Sequence, residues 1–426
     1  MNEEQQVQLF DLIMCLSEAV DLVSAAVVNH HKQVAYIGLS LGEALALPAE
    51  DRNDIVMAGA LHDIGALSLQ ERLDILRFEE KQPHRHAEVG CALLRMMSPL
   101  SGVANLVRFH HVPWNHGTGT VFMGEQVPMG SHILHLADRI AVMIDGQQEV
   151  LGQVTGICER IEGQSGSVFV PRLVEAFRGL AAKEYFWLDA TYAFIETILS
   201  RRVSLGSIEL GLDDFLSLAR LFSRIIDFRS RFTATHSSGV AATAEALARL
   251  SGSSEDECRM VKVAGYLHDL GKLAVPAEIL EKPARLTESE FNVMRSHSFY
   301  TYRILDRIGA LDMVKKCASF HHERLEGTGY PFHLGDKNLP MICRILAVAD
   351  VFTAITEDRP YRKGMTKGDA LQVLQGMAGS GALDLGVVSL MGTYFDEINA
   401  VRLAAQVVSS EEYENLRRSA QGGETR

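Results

Sequence analysis

Hydrophobic residues recur along most of this chain at three- and four-residue intervals, the spacing of helices that bury one face. Val240, Ala244 and Leu247 fall with His236 on one stripe of a helix expected over Thr233–Leu250. Val261, Ala264 and Leu267 form a second stripe, for which Gly271 is the expected C-terminal stop. Phe291, Met294, His297, Thr301 and Ile304 make a third, and Ile342, Leu346 and Asp350 a fourth. Asp213 and Asp214 are placed to open a further helix reaching towards Ile226. The predicted fold class is all-α. A histidine or an aspartate sits on three of the apolar stripes, so these polar side chains are expected to converge inside a bundle.

The pattern occurs twice. Asn29–Ala35 can be laid over Thr235–Ala241, and 32 residues separate His30 from His62 just as they separate His236 from His268. Leu61-His62-Asp63-Ile64-Gly65 then matches Leu267-His268-Asp269-Leu270-Gly271. His86 corresponds to His297, the pair His110-His111 to His321-His322, and Asp138 to Asp350. Ten of the 16 histidines lie on this repeat, which marks it as a duplication of one unit. Two tandem helical bundles are predicted, over 1–200 and 208–415, with the boundary in Arg201–Gly211 and a frayed tail over 416–426.

Composition narrows the class only a little. The 426 residues are 47% hydrophobic and 22% charged, as in ordinary soluble proteins. A net charge of −13 argues against broad DNA, RNA or anionic-membrane binding, so an anionic ligand would need a local basic cluster. The opening M-N-E-E-Q-Q lacks the basic start of a signal peptide. Six cysteines scattered without a C-x-x-C pair fit a reducing cytoplasm, the predicted location. The apolar stretch Val7–Val28 is interrupted by Asp11, Glu18 and Asp21, so it reads as an amphipathic helix. It offers a surface either for a homodimer or for packing between the two copies.

In the second copy, His236, His268, Asp269, His297, His321, His322 and Asp350 number five imidazoles and two carboxylates, enough for two metal ions sharing a bridge. That mixture suits Fe, Mn, Zn or Ni better than Ca or Mg. Asp269 is the natural bridge, with His236, His268 and Asp350 expected on one ion and His297, His321 and His322 on the other. Two such ions, about 3.5–4 Å apart, activate water and bind the phosphoryl oxygens under attack. Lys272 is placed to set an ammonium on a phosphate oxygen as charge develops there. Gly327, Gly329 and Pro331 shape a tight loop holding Arg324 and Tyr330 near the site. Arg359, Arg362 and Lys363 make a positive cluster at its mouth, suited to a second phosphate.

The first copy keeps seven potential ligands, His30, His62, Asp63, His86, His110, His111 and Asp138, as a possible second metal site. Ala66 replaces the lysine, and the Glu-Arg pair, the Tyr-Pro and the basic cluster are missing. It reads as a catalytically reduced duplicate.

H-D-L-G-K, the loop H-H-E-R-L-E-G-T-G-Y-P, the A-D-V-F-T-A-I-T segment and R-P-Y-R-K together resemble the HD-GYP subgroup of HD-domain phosphohydrolases, strongly over Asp213–Gly379. The resemblance implies an all-α bundle and a metal centre, Fe or Mn first, with Ni or Zn as alternatives. It also implies hydrolysis of a bacterial cyclic dinucleotide, either cyclic di-GMP or 3′,3′-cyclic GMP-AMP, to a linear 5′-phosphodinucleotide. The family loop commonly has Asp where this chain has Glu326. Some members carry a Glu four residues before the first histidine that supports a third metal; Phe232 stands there, so a dinuclear site is expected. The alternatives are another HD-superfamily nucleotide phosphohydrolase, which the Gly-Tyr-Pro loop argues against, and a metal-bound scaffold or cyclic-dinucleotide-binding protein without turnover.

Overall fold

The computed structural model describes residues 5–22, 29–66, 83–229, 235–282, 284–358 and 363–421. It is helical throughout except for short strands, and it divides into two compact units, one built on Gln8–Ile208 and the other on Glu209–Arg417. Each is described by itself. None of the described helices is long and apolar enough to cross a membrane.

In the N-terminal unit the principal helices are α1 (Leu9–Asp21), α2 (His30–Ala44), α3 (Ala49–Leu61), α4 (Pro83–Leu94), α5 (Ala104–Arg108) and α6 (Met129–Met143). They are followed by α7 (Val154–Glu162), α8 (Pro171–Ala181), α9 (Glu184–Ala190) and α10 (Ile195–Arg202). Far from being an open surface, α1 is buried against α2 and α3, with Leu12, Ile13, Met14, Cys15 and Leu16 wholly enclosed. The part of Val7–Val28 beyond Leu22 lies outside the described residues.

The C-terminal unit holds α11 (Leu212–Arg229), α12 (His236–Leu250), α13 (Glu255–Leu267), α14 (Glu288–Leu305), α15 (Asp312–Phe320), α16 (Met341–Thr356), α17 (Lys367–Gly379), α18 (Leu385–Thr393) and α19 (Phe395–Gln421). Reciprocal capping boxes start α13, from Ser254 and Glu257, and α14, from Thr287 and Glu290. The last helix runs on to Gln421, past the point where a frayed tail was expected. Its strong helix formers meet no breaker before Gly422.

Within each unit, the helix crossing that gathers its histidines depends on glycine. A Cβ on Gly265 of α13 would lie 2.6 Å from Ala241 Cα of α12, and one on Gly59 of α3 would lie 2.9 Å from Ala35 Cα of α2. Neither contact is sterically possible, so both units use the missing side chain to press the first two helices of the repeat together.

Candidate metal centre

The ligand-bearing side chains of the C-terminal unit stand at helix ends and on buried helix faces. His236 is the first residue of α12, while His268 and His321 cap the C-termini of α13 and α15. His297 and Asp350 lie inside α14 and α16, both buried. α13 stops at Leu267, four residues before the expected Gly271, because the chain turns at the His-Asp pair into a 3-10 segment over Leu270–Ala274. Gly271 has a different role. A Cβ there would fall 1.9 Å from His297 O, so its absence lets the turn carrying Asp269 dock on the α14 backbone. Gly65 does the same against His86 O in the N-terminal unit.

Three groups of ligand atoms result, each within 4.8 Å: His236, His268 and Asp350; His297, His321 and His322; and His268, Asp269 and His321. Asp269 faces both sides, with Oδ2 3.2 Å from His268 Nε2 and Oδ1 3.6 Å from His297 Nε2. Asp350 Oδ1 lies 3.2 Å from His236 Nε2 and 3.8 Å from His268 Nε2.

The direction of the rings is fixed from behind. Nδ1 of His268, His297 and His321 approaches the carbonyl three residues earlier at 2.8, 2.6 and 2.7 Å. A carbonyl only accepts, so each Nδ1 carries the proton and each Nε2 presents a lone pair to the centre. His297 Nε2 and His321 Nε2 are 3.3 Å apart. Two lone pairs at that distance repel unless a cation stands between their axes or one ring is protonated. Protonation is opposed by burial and neighbouring imidazoles, which lower His297 to about 3, His322 to about 4 and His321 well below its ordinary value. His268 Nε2 is buried with no hydrogen-bond partner. The donor set therefore fits transition-metal ions.

His236 differs. Its Nδ1 meets Glu357 Oε2 at 3.1 Å, and Gln406 Nε2 reaches the same oxygen at 3.4 Å. Burial disfavours the imidazolium, but Glu357 and Asp350 outweigh it and raise His236 to about 10. Glu357 escaped the sequence reading, although it stands seven residues after Asp350, two turns along the same helix face.

Around the cluster, Lys272 Nζ lies 2.5 Å from Asp269 Oδ2. The Tyr330 ring rests on His322 with centroids 4.8 Å apart. Burial and the charges of Asp350 and Asp269 push its hydroxyl pKa up. The loop between them is held by Glu323, whose oxygens accept from Phe332 N at 2.6 Å and Leu334 N at 2.9 Å. Glu326 accepts from the Thr328 hydroxyl at 2.8 Å within the loop. Arg324 is exposed and lies 3.6 Å from Glu326, so the tight loop does not turn it into the cluster. Lys363 is exposed, while Arg359, Arg362 and Phe232 lie outside the described residues. Phe291 also departs from expectation. It is 46% exposed rather than part of the α14 core stripe.

The N-terminal unit repeats the arrangement. Asp63 Oδ1 lies 3.4 Å from His86 Nε2 and 3.8 Å from His110 Nε2, and its Oδ2 lies 3.0 Å from His62 Nε2 and 3.8 Å from His30 Nε2. His86 Nε2 stands 2.9 Å from His111 Nε2. Two differences were not foreseen. His31, matched by Ser237 in the other copy, pairs through Nδ1 with Asp21 and turns Nε2 to within 3.9 Å of Asp63. Buried Arg139 binds Asp138 Oδ2 at 2.6 Å, leaving Oδ1 to face His30 at 3.3 Å.

Profiles of the HD domain match residues 27–143 and 220–387, one in each unit. The chain is 31% identical over 395 residues to 3′3′-cGAMP-specific phosphodiesterase 1 of Vibrio cholerae, covering 90% of this chain and 91% of that one. It is 27% identical to phosphodiesterase 3 of the same organism, covering 86% and 90%. It is also 38% identical over 170 residues to the cyclic di-GMP phosphodiesterase response regulator RpfG of Xanthomonas campestris, covering 38% and 43%. The crystal structure of the V. cholerae cyclic GMP-AMP-specific phosphodiesterase V-cGAP3 shares the fold, with a TM-score of 0.66 at 22% identity over 92% of this chain and 98% of that one. With two HD domains and this likeness along nearly its whole length, the chain belongs to the HD-GYP phosphodiesterases, a family of hydrolytic enzymes.

Proposed function

We propose that the C-terminal unit is a metal-dependent phosphodiesterase that opens a bacterial cyclic dinucleotide, cyclic di-GMP or 3′,3′-cyclic GMP-AMP, to a linear 5′-phosphodinucleotide. The observation that carries this reading is the pair of facing Nε2 lone pairs on His297 and His321, both rings locked from behind by carbonyls. The relatives named for cyclic-dinucleotide hydrolysis support the substrate class.

His236, His268 and Asp350 would hold one ion, His297, His321 and His322 the other, and Asp269 would join them; Fe or Mn suits the set first, Ni or Zn next. Bound ions supply Lewis acidity at the phosphodiester and a water activated near neutral pH. The chain's own groups do the rest. Glu357 and the helix carbonyls hold the imidazoles in one tautomer and orientation. Lys272, beside Asp269, directs its ammonium at a non-bridging phosphate oxygen, where negative charge grows as the nucleophile adds. Water adds to phosphorus, one P–O3′ bond breaks, and the released 3′-hydroxyl takes up a proton. Arg359, Arg362 and Lys363 are assigned to the second phosphate. Six free cysteines fit action in the cytoplasm.

Purified protein loaded with Mn or Fe, given cyclic di-GMP, cyclic GMP-AMP and cyclic di-AMP side by side, is expected to yield a linear dinucleotide. Wild-type turnover by Asp269→Ala would overturn the reading.

For the N-terminal unit we infer metal binding without turnover. Nε2 of His30, His31 and His62 and Oδ1 of Asp63 and Asp138 are all buried without hydrogen-bond partners, which favours ions there. Ala66 and the lost Tyr-Pro loop remove the groups that would act on a phosphate.

A further inference from the structure

The outward face of α14 carries Phe291, Arg295, Phe299 and Arg303 at four-residue intervals, on the opposite side from buried His297 and Thr301. Two of these side chains border the metal centre. The Arg295 guanidinium lies over the Tyr330 ring, 5.1 Å from its centroid, and among the described residues it pairs with no carboxylate. The Phe291 ring meets Tyr330 edge-on at 6.4 Å, and Tyr330 in turn rests on His322 at 4.8 Å. A continuous run of rings thus leads from a proposed ligand to a half-exposed phenylalanine one turn from Arg295. Phe291 is 46% exposed, so its ring is accessible to a ligand one helical turn from Arg295.

We propose that Phe291 and Arg295, with Tyr330 as the back wall, form the corner that receives a purine of the substrate and selects guanine. The inference rests on the cyclic-dinucleotide reading above and deepens it. Phe291 stands nearly perpendicular to Tyr330 and is 46% exposed, which leaves ring surface for a base to stack on. Arg295, one helical turn along, addresses the edge of that base. Guanine presents two acceptors, O6 and N7, which match the guanidinium fork; adenine presents N7 beside an amino donor, which opposes it.

The experiment compares full-length, Mn-loaded wild type, Arg295→Ala, Arg295→Met and Phe291→Ala on four substrates: cyclic di-GMP, cyclic GMP-AMP, cyclic di-AMP and bis(4-nitrophenyl) phosphate, which has no base. Arg295→Ala and Arg295→Met are expected to lose roughly tenfold to a hundredfold in kcat/KM on the guanine-bearing substrates. Both should keep near-wild-type rates on cyclic di-AMP and the nitrophenyl ester. Phe291→Ala should lose about tenfold on all three dinucleotides and nothing on the ester. The ratio of two substrates within one variant is independent of how much protein is folded. An unchanged guanine-to-adenine ratio in both Arg295 variants, or an equal loss on the ester, would overturn the corner while leaving the phosphodiesterase reading standing. A wild type that cleaves the ester but no cyclic dinucleotide would overturn both.

Discussion

At the residue scale, the histidines are less informative than what stands behind them. Three of the five imidazoles of the C-terminal centre donate backwards to carbonyls, and another, His236, leans on a carboxylate instead. His236 is therefore held protonated in the metal-free protein, up to about pH 10. Its folded value lies above the ordinary 6.5, so the stability it contributes is fully present below about pH 6.5 and is lost as pH rises towards 10. Thermal unfolding of chelator-stripped protein should show Tm falling across that window. Glu357→Gln removes one of the two carboxylates and should flatten the fall. In the metal-loaded enzyme, the same substitution should reduce metal content or kcat/KM by roughly tenfold to a hundredfold. The clustering of these side chains was legible because the repeat printed their spacing twice. Glu357 was not, since one carboxylate on a helix end looks like any other until the imidazole it supports is in place.

At the scale of elements, the pattern located the helices but misjudged two details. Gly271 looked like a helix stop, because glycine commonly ends helices; in the structure it is a docking point against α14, and the helix has already ended at Leu267. Phe291 has the spacing of a core residue, yet periodicity cannot tell a buried stripe from an exposed one, and the ring is 46% exposed. The crossing of α12 and α13 also left no mark in the hydrophobic pattern. Its basis is Gly265, where even a methyl group would stand 2.6 Å from the Ala241 backbone. Gly265→Ala should therefore cost about 1–3 kcal/mol, measured by urea unfolding. It should also lower metal retention, because His236 and His268 sit on the two helices it would force apart. A variant with wild-type stability and metal content would show that the crossing tolerates a wider spacing.

At the scale of the whole molecule, two near-copies of one bundle have diverged around a common ligand set. What the copies share, an aspartate facing imidazoles on both sides, is the arrangement proposed to hold ions. What they do not share, Lys272 against Ala66 and the Tyr330 loop against Trp114–Val121, is the part proposed to meet the phosphate. The N-terminal copy has also gained fixed charges of its own, Asp21 behind His31 and Arg139 on Asp138. Buried Arg139 occupies one oxygen of Asp138, so that carboxylate has less to offer an ion than Asp350. Metal analysis of the full chain can separate the two roles. Asp63→Ala should lower the bound transition metal yet leave cyclic-dinucleotide turnover within about twofold, because the acting groups lie in the other unit. Asp269→Ala should lower the metal by at least as much and abolish turnover, since it removes the residue that joins both halves of the proposed centre. The double variant should retain almost no metal. If Asp63→Ala changes neither metal content nor turnover, the N-terminal histidines are a relic that packs and hydrogen-bonds; if it abolishes turnover in a folded protein, the division of labour proposed here is wrong.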